Sequence, residues 1–146
     1  MKQHRYQRQS GVALVEFTLI APLLLILIFI TTEFGRAYYQ YNTITKSVRE
    51  AVRYLSVRSA GVDEDKATNI IVYGNPGGTG SRIFAGLSKS NVSIPARATV
   101  GSYPIMNTVT VTVSGVTFTP IVGSVFGFSL NNFTFGPIHA TMRGPS

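Results

Sequence analysis

From Val12 to Thr32 the chain runs for 21 residues with a single charge, Glu16. A helix of that length rises about 31 Å at ~1.5 Å per residue, enough to cross the hydrocarbon core of a bilayer. Polar residues then return at helical spacing. Apolar positions recur every three or four residues: Tyr38, Tyr41, Ile44 or Thr45, Val48, Ala51 or Val52, and Leu55. Arg36, Gln40, Thr43, Ser47, Glu50 and Arg53 occupy much of the remaining surface. No proline interrupts residues 23–75. The pattern predicts one long helix from about Val12 to Ser59, apolar all round in its first half and amphipathic in its second, with Gly61 ending it.

Beyond Gly61 the pattern changes. Asp63 is placed to cap a short helix through about Tyr73 that buries Ala67, Ile70 and Ile71, with Gly74 as its C-cap. The stretch Gly74–Gly80 is a loop by composition. Thr108–Val113 alternates strictly, with Val109, Val111 and Val113 on one face, as a half-buried strand requires. Val116–Thr119 resumes the alternation after Gly115. Phe133–Phe135 and Ile138–Met142 predict further short strands, and Asn91–Ile94 a weaker one. These strands need a cover for their apolar face, and the amphipathic half-helix supplies it. The expected fold is α+β: a long N-terminal helix packed on a small, mainly antiparallel C-terminal β-domain. Four segments follow: a basic segment 1–11, a transmembrane helix 12–32, an amphipathic extension 33–60, and an outer α+β domain 61–146.

Composition agrees with a membrane segment joined to a β-rich domain. Charged residues make up 13% of the chain, against about 25% in ordinary soluble domains. The net charge is +7, from 13 Lys plus Arg and 6 Asp plus Glu. Lys2, Arg5 and Arg8 lie ahead of the apolar run with no acid among them, and no basic cluster follows it directly. That asymmetry places the N-terminus in the cytoplasm and the outer domain in the periplasm or outside the cell. The basic tail therefore serves topology rather than nucleic acid, and no plausible β platform alternates aromatic and basic residues. A secretory signal would have an apolar region of about 7–15 residues followed by a small-x-small cleavage site. This run is longer, and Thr31–Arg36 contains no such site, which favours a retained helix.

No catalytic constellation emerges. The chain has no cysteine, which excludes a disulfide framework, a thiolate zinc site and a cysteine nucleophile. His4 and His139 are too far apart for a local metal motif, and His139 alternates with presumed core positions, so it belongs on a solvated strand face. The Gly74–Gly80 loop lacks the Lys-Ser/Thr ending of a phosphate loop and the spacing of a dinucleotide fingerprint. Asp63, Glu64 and Asp65 read as a solvated helix N-terminus. No enzyme activity, metal or cofactor is expected.

The informative residues lie at the membrane boundaries. A carboxylate inside an apolar helix costs several kcal/mol unless it is paired or near the interface. Glu16 therefore either reaches the headgroups or meets a cation supplied by a partner. Were the chain cut after Gly11, Val12 would gain a free α-amine and Glu16 would become the fifth residue. Pro22 removes the amide that would bond the Thr18 carbonyl. A kink or loosened turn relieved by the Thr18 hydroxyl is one expectation there, and a membrane proline tolerated without consequence is the other.

A basic leader ending in Gly11, an apolar helix and a Glu five residues past the cut resemble the prepilins of the type IV family. The stretch Gly11–Phe17, the Pro22–Leu25 segment and the exit Glu33-Phe34-Gly35-Arg36-Ala37-Tyr38-Tyr39 resemble more closely the TadE-like pseudopilins of the tight-adherence (Flp) pilus. The resemblance continues through Arg49–Tyr54 and thins to Tyr73–Pro76 and Thr141–Arg143. It implies a pilin-like fold and a minor pilin matured by prepilin peptidase between Gly11 and Val12. It also implies Glu16 as the docking carboxylate, and a place in assembling Flp pili for surface adhesion and biofilm formation. The implied partners are the peptidase, other Tad/Flp pilins, the inner-membrane assembly platform and the lipid bilayer. For Glu33, Phe34, Gly35 and Arg36 the chemistry indicates no role other than a helix-exit feature, with Glu33 and Arg36 at an i,i+3 spacing. The chain lacks the paired cysteines of many type IV major pilins and is far larger than the short major Flp pilin. Both departures point to a minor subunit. An uncleaved single-pass scaffold of an envelope complex is the alternative, and a secreted adhesin or hydrolase the third class.

Overall fold

The computed structural model describes residues 9–145. The leader, apart from its last residues, lies outside them. The elements in order are α1 (Gln9–Ser56), α2 (Glu64–Tyr73), a 3-10 turn (Lys89–Asn91), β1 (Val92–Ser93), β2 (Ala98–Val100), β3 (Met106–Val113), β4 (Thr117–Phe118), β5 (Ser124–Val125), β6 (Phe128–Ser129), β7 (Phe133–Thr134) and β8 (Ile138–Arg143). The protein is α+β, a long helix packed on a small antiparallel β-domain. Two compact units divide it. One holds the chain up to Arg36 with Pro120–Asn131; the other holds Ala37–Thr119 and the chain from Asn132 onward. α1 contributes its first part to one and its second part to the other.

The larger unit is built around β3. β8 pairs antiparallel along β3 from Thr108↔Arg143 to Val113↔Ile138. β1 pairs with its C-terminal end and β2 with its N-terminal end. Since β8 spans the same positions, β1 and β2 must share the opposite edge of β3. Alternation then puts Val109, Val111 and Val113 on the buried face. Facing them are Ile44, Val48, Ala51, Val52 and Leu55 of α1 and Ala67, Ile70, Ile71 and Val72 of α2. Each fully buried aliphatic side chain contributes about 1.5–3 kcal/mol relative to exposure. β4 and β7 form a separate pair, Thr117↔Thr134 and Phe118↔Phe133. There the buried Phe118 ring lies 5.1 Å from Phe133 and 6.3 Å from Phe135.

The observed helix departs from the expected one at two places. The buried stripe opens with Ala37, while Tyr38 is exposed and Tyr41 partly so. The Tyr41 ring packs 5.9 Å from Phe135 rather than entering the core. α1 also ends at Ser56, ahead of Gly61, and the carbonyls at and just past its end are taken by side chains. Arg97 donates from Nη2 to Leu55 O at 3.1 Å and also to Arg58 O. Arg58 donates to Tyr54 O at 2.5 Å while its guanidinium stacks 3.4 Å from the centre of the Tyr54 ring. Cations at a helix C-terminus satisfy orphan carbonyls and oppose the negative dipole end.

α2 forms where expected, and Ala67, Ile70 and Ile71 are buried, with Val72 in addition. Gly74 sits in the left-handed region (φ 74°) and donates its amide to Ile70 O, as a C-cap glycine does. Asp63 stands at the N-cap position, but its side chain makes no capping bond. Its carboxylate instead receives Arg58 Nε and Lys66 Nζ, each at 2.9 Å. β2 and the β5–β6 hairpin are additions to the expected strands. Neither has the length or strict alternation that identifies a strand locally.

Candidate functional site

α1 carries every residue singled out at the membrane boundaries. Around Gly11 and Gly35 there is open space, with no atom within 4 Å of where a Cβ would stand. Neither glycine is demanded by packing among the described residues. Val12 and Glu16 are exposed, one turn apart on one face. Glu16 makes no hydrogen bond or ion pair to any described residue. The Thr18 hydroxyl donates to Leu14 O at 2.7 Å, one turn before the carbonyl that Pro22 leaves without its amide. α1 runs on through Pro22. Thr31 and Thr32 donate in the same way to Leu27 O and Ile28 O, both at 2.8 Å. Back-bonding of this kind satisfies hydroxyls where no water is at hand.

The exit residues diverge. Phe34 is exposed, whereas Glu33 is 94% buried by residue, with 6% of its surface accessible. Glu33 Oε2 accepts from Arg36 Nη1 in an i,i+3 ion pair. Glu33 Oε1 accepts from the backbone amides of Ile121 at 3.1 Å and Val122 at 3.3 Å. A buried carboxylate is costly when bare and tolerable when donors surround it; here three are aimed at it. The arrangement also serves the loop, because the amides after Pro120 would otherwise be orphaned. Sequence reasoning found the Glu33–Arg36 spacing and missed this clasp. Glu33 and Ile121 are 88 residues apart, and no pattern around Ile121 announces a carboxylate partner.

The other candidate chemistries have structural explanations. Asn75 closes the glycine-rich loop on itself, donating to Tyr73 O at 3.1 Å and Thr79 O at 2.8 Å while accepting from the Thr79 amide at 3.3 Å. Its donors face inward rather than towards a phosphate. His139 is on the exposed face of β8. Of the acidic run, Asp63 is the paired member. Its hydrogen bond from Lys66, with help from Arg58, holds its carboxyl below the usual range against a smaller opposing effect of burial. No group of three or more His, Cys, Asp or Glu able to hold a metal occurs among the described residues.

α1 is thus long and apolar enough to cross a membrane, and no residue of its most apolar window is buried. A family model for TadE-like proteins matches residues 11–53. This segment is TadE-like. The match begins at Gly11, takes in Glu16, Pro22 and the Glu33–Arg36 exit, and stops within the last turn of α1. No curated protein and no solved structure matches the chain. TadE-like proteins are pilus components rather than enzymes, and the single long apolar helix fits a single-pass membrane protein. The TadE-like segment therefore coincides with the helix, and the β-domain lies beyond it.

Proposed function

We propose that this protein is a minor pilin, or pseudopilin, that takes part in assembling Flp/Tad pili used for surface adhesion and biofilm formation. Prepilin peptidase cuts between Gly11 and Val12 on the cytoplasmic side of the inner membrane. The outer domain then stands in the periplasm or enters the surface pilus. The observation that carries this reading is the TadE-like match over a helix whose one intramembrane carboxylate, Glu16, is unpartnered within the described chain. Glycine at the cut leaves an extended backbone free to lie in a protease cleft. Removal of the leader leaves 10 Lys plus Arg against 6 Asp plus Glu, a net +4.

Glu16 acts as a docking carboxylate in this scheme. The new Val12 amine of its own chain or of a neighbouring pilin lies within reach. In a low-dielectric bundle each charge is costly alone and stabilised by the other. The pair thereby rewards one axial register between subunits, with the other pilins and the assembly platform as partners. Intact mass of the membrane-extracted protein is the test. A chain shortened by Met1–Gly11 is expected, whereas Gly11→Val stays full length. Glu16→Leu should be cut normally yet support few or no pili. A full-length wild-type protein would instead indicate an uncleaved envelope scaffold. Wild-type piliation by Glu16→Leu would remove the docking role.

A further inference from the structure

Pro120–Asn131 is an unusual segment to leave uncovered. No Asp, Glu, Lys or Arg occurs between Arg97 and Arg143, so it carries no charge. β5 and β6 pair as Ser124↔Ser129 and Val125↔Phe128 around a two-residue turn. Both turn residues, Phe126 (φ 48°) and Gly127 (φ 85°), have positive φ, as in a tight type I′ hairpin. The Leu130 amide donates to Gly123 O at 2.9 Å and extends the ladder. Such local pairing satisfies the backbone groups that face each other, and the outward-facing ones stay open to headgroups and water at an interface. Yet Ile121, Phe126 and Phe128 are each more than half exposed.

The hairpin does not stand free. At its base the Ile121 and Val122 amides are held by the Glu33 carboxylate. Further along, Phe128, Ser129 and Leu130 line an apolar cleft with Ile26, Phe29 and Ile30 of α1. Those three helix residues precede Glu33 and belong to the apolar run. From Glu33 back to Ile26 the helix descends about 10 Å at ~1.5 Å per residue. Interfacial elements bury their apolar face about 5–10 Å into a leaflet.

We infer that the Pro120–Asn131 hairpin is a second membrane-contacting element, a wedge in the leaflet where α1 exits, with Phe126 and Phe128 among the lipid acyl chains. The partner is the bilayer itself, because the hairpin flanks the apolar run of the helix and offers no charge to a polar partner. Glu33 ties the wedge to the helix at headgroup level, and its own charge is neutralised there by Arg36. The inference rests on residues 12–32 spanning the membrane, and its test separates the two.

The chain has no tryptophan, so one introduced indole reports one site. Phe126→Trp, Phe128→Trp and Leu24→Trp are each made in the full-length protein and reconstituted into phospholipid vesicles. Bromine atoms are placed either shallow or deep along the acyl chains, and N-acetyltryptophanamide gives the aqueous reference. Leu24→Trp should lose most of its emission to deep bromines. Phe126→Trp and Phe128→Trp should be blue-shifted from the reference and lose most of theirs to shallow bromines. Quenching of Leu24→Trp with neither hairpin reporter quenched overturns the wedge and leaves the span intact. A blue-shifted hairpin reporter that no brominated lipid quenches is covered by protein, which also overturns it. Failure to quench Leu24→Trp overturns the span beneath both.

Discussion

The two halves of α1 share one backbone conformation and have opposite relations to their surroundings. In the first half Val12, Leu14, Phe17, Leu19, Leu23 and Leu27 are all exposed. In the second, Ile44, Val48, Val52 and Leu55 have almost no accessible surface. The second half has its apolar partner within the chain, in β3 and α2. Among the described residues the first half meets the Phe128–Leu130 segment, at Ile26, Phe29 and Ile30, and the rest of its surface suits a partner outside the chain: lipid, or the helix of another pilin. Helical periodicity alone does not separate these cases. Their difference lies in whether the apolar residues form one stripe or surround the axis.

The largest expected effect comes from truncating a side chain in the covered half. Leu55→Ala should destabilise the outer domain by about 2–5 kcal/mol, a large share of the ~5–15 kcal/mol of a typical domain. Thermal or denaturant unfolding reads it directly. Leu19→Ala, in the uncovered half, should leave that unfolding transition within about 0.5 kcal/mol of wild type. Equal losses in the two variants would erase the contrast.

Glu33, at the boundary, should give an intermediate and local effect. Glu33→Ala removes the acceptor for the Ile121 and Val122 amides and for Arg36 Nη1. The expected cost is about 1–3 kcal/mol for the groups left unmade, roughly tenfold faster amide exchange per 1.4 kcal/mol. Exchange should accelerate at Ile121 and Val122 and stay unchanged at Val111. Glu33→Gln keeps a carbonyl acceptor and should fall between. Uniform acceleration across β3 would mean that Glu33 supports the whole outer domain rather than the hairpin.

The smallest effect belongs to the solvent-facing cluster after α1. The Asp63 carboxyl is held below its ordinary 3.8, first by the Lys66 hydrogen bond. Its contribution to stability is therefore complete above about that value and is lost as pH falls through the lowered folded pKa. Lys66 is raised above its ordinary 10.5, chiefly by the Asp63 hydrogen bond. Its contribution is complete below that value and is lost as pH rises through the raised one. Asp63→Asn should flatten both limbs of a stability–pH profile while leaving neutral-pH folding intact. An unchanged acid limb would show that other carboxylates set it.

Local pattern carries whatever depends on neighbours within a few positions. Helix persistence, the valine alternation of Thr108–Val113, the helix through Tyr73 and the Gly74 cap all follow from periods of 3.6 and 2 and from caps at fixed offsets. The exit motif was legible as a spacing, and Glu16 as an anomalous charge, for the same reason. Tertiary structure alone decided which long-range groups meet. Arg97 reaches the carbonyls at the end of α1, Asp63 turns from its cap to Arg58 and Lys66, and Glu33 receives the Ile121 and Val122 amides. Each of these bonds was open to several donors and acceptors of the same chemistry. What selects among them is the distance that remains once the core has packed, and no local pattern encodes that distance.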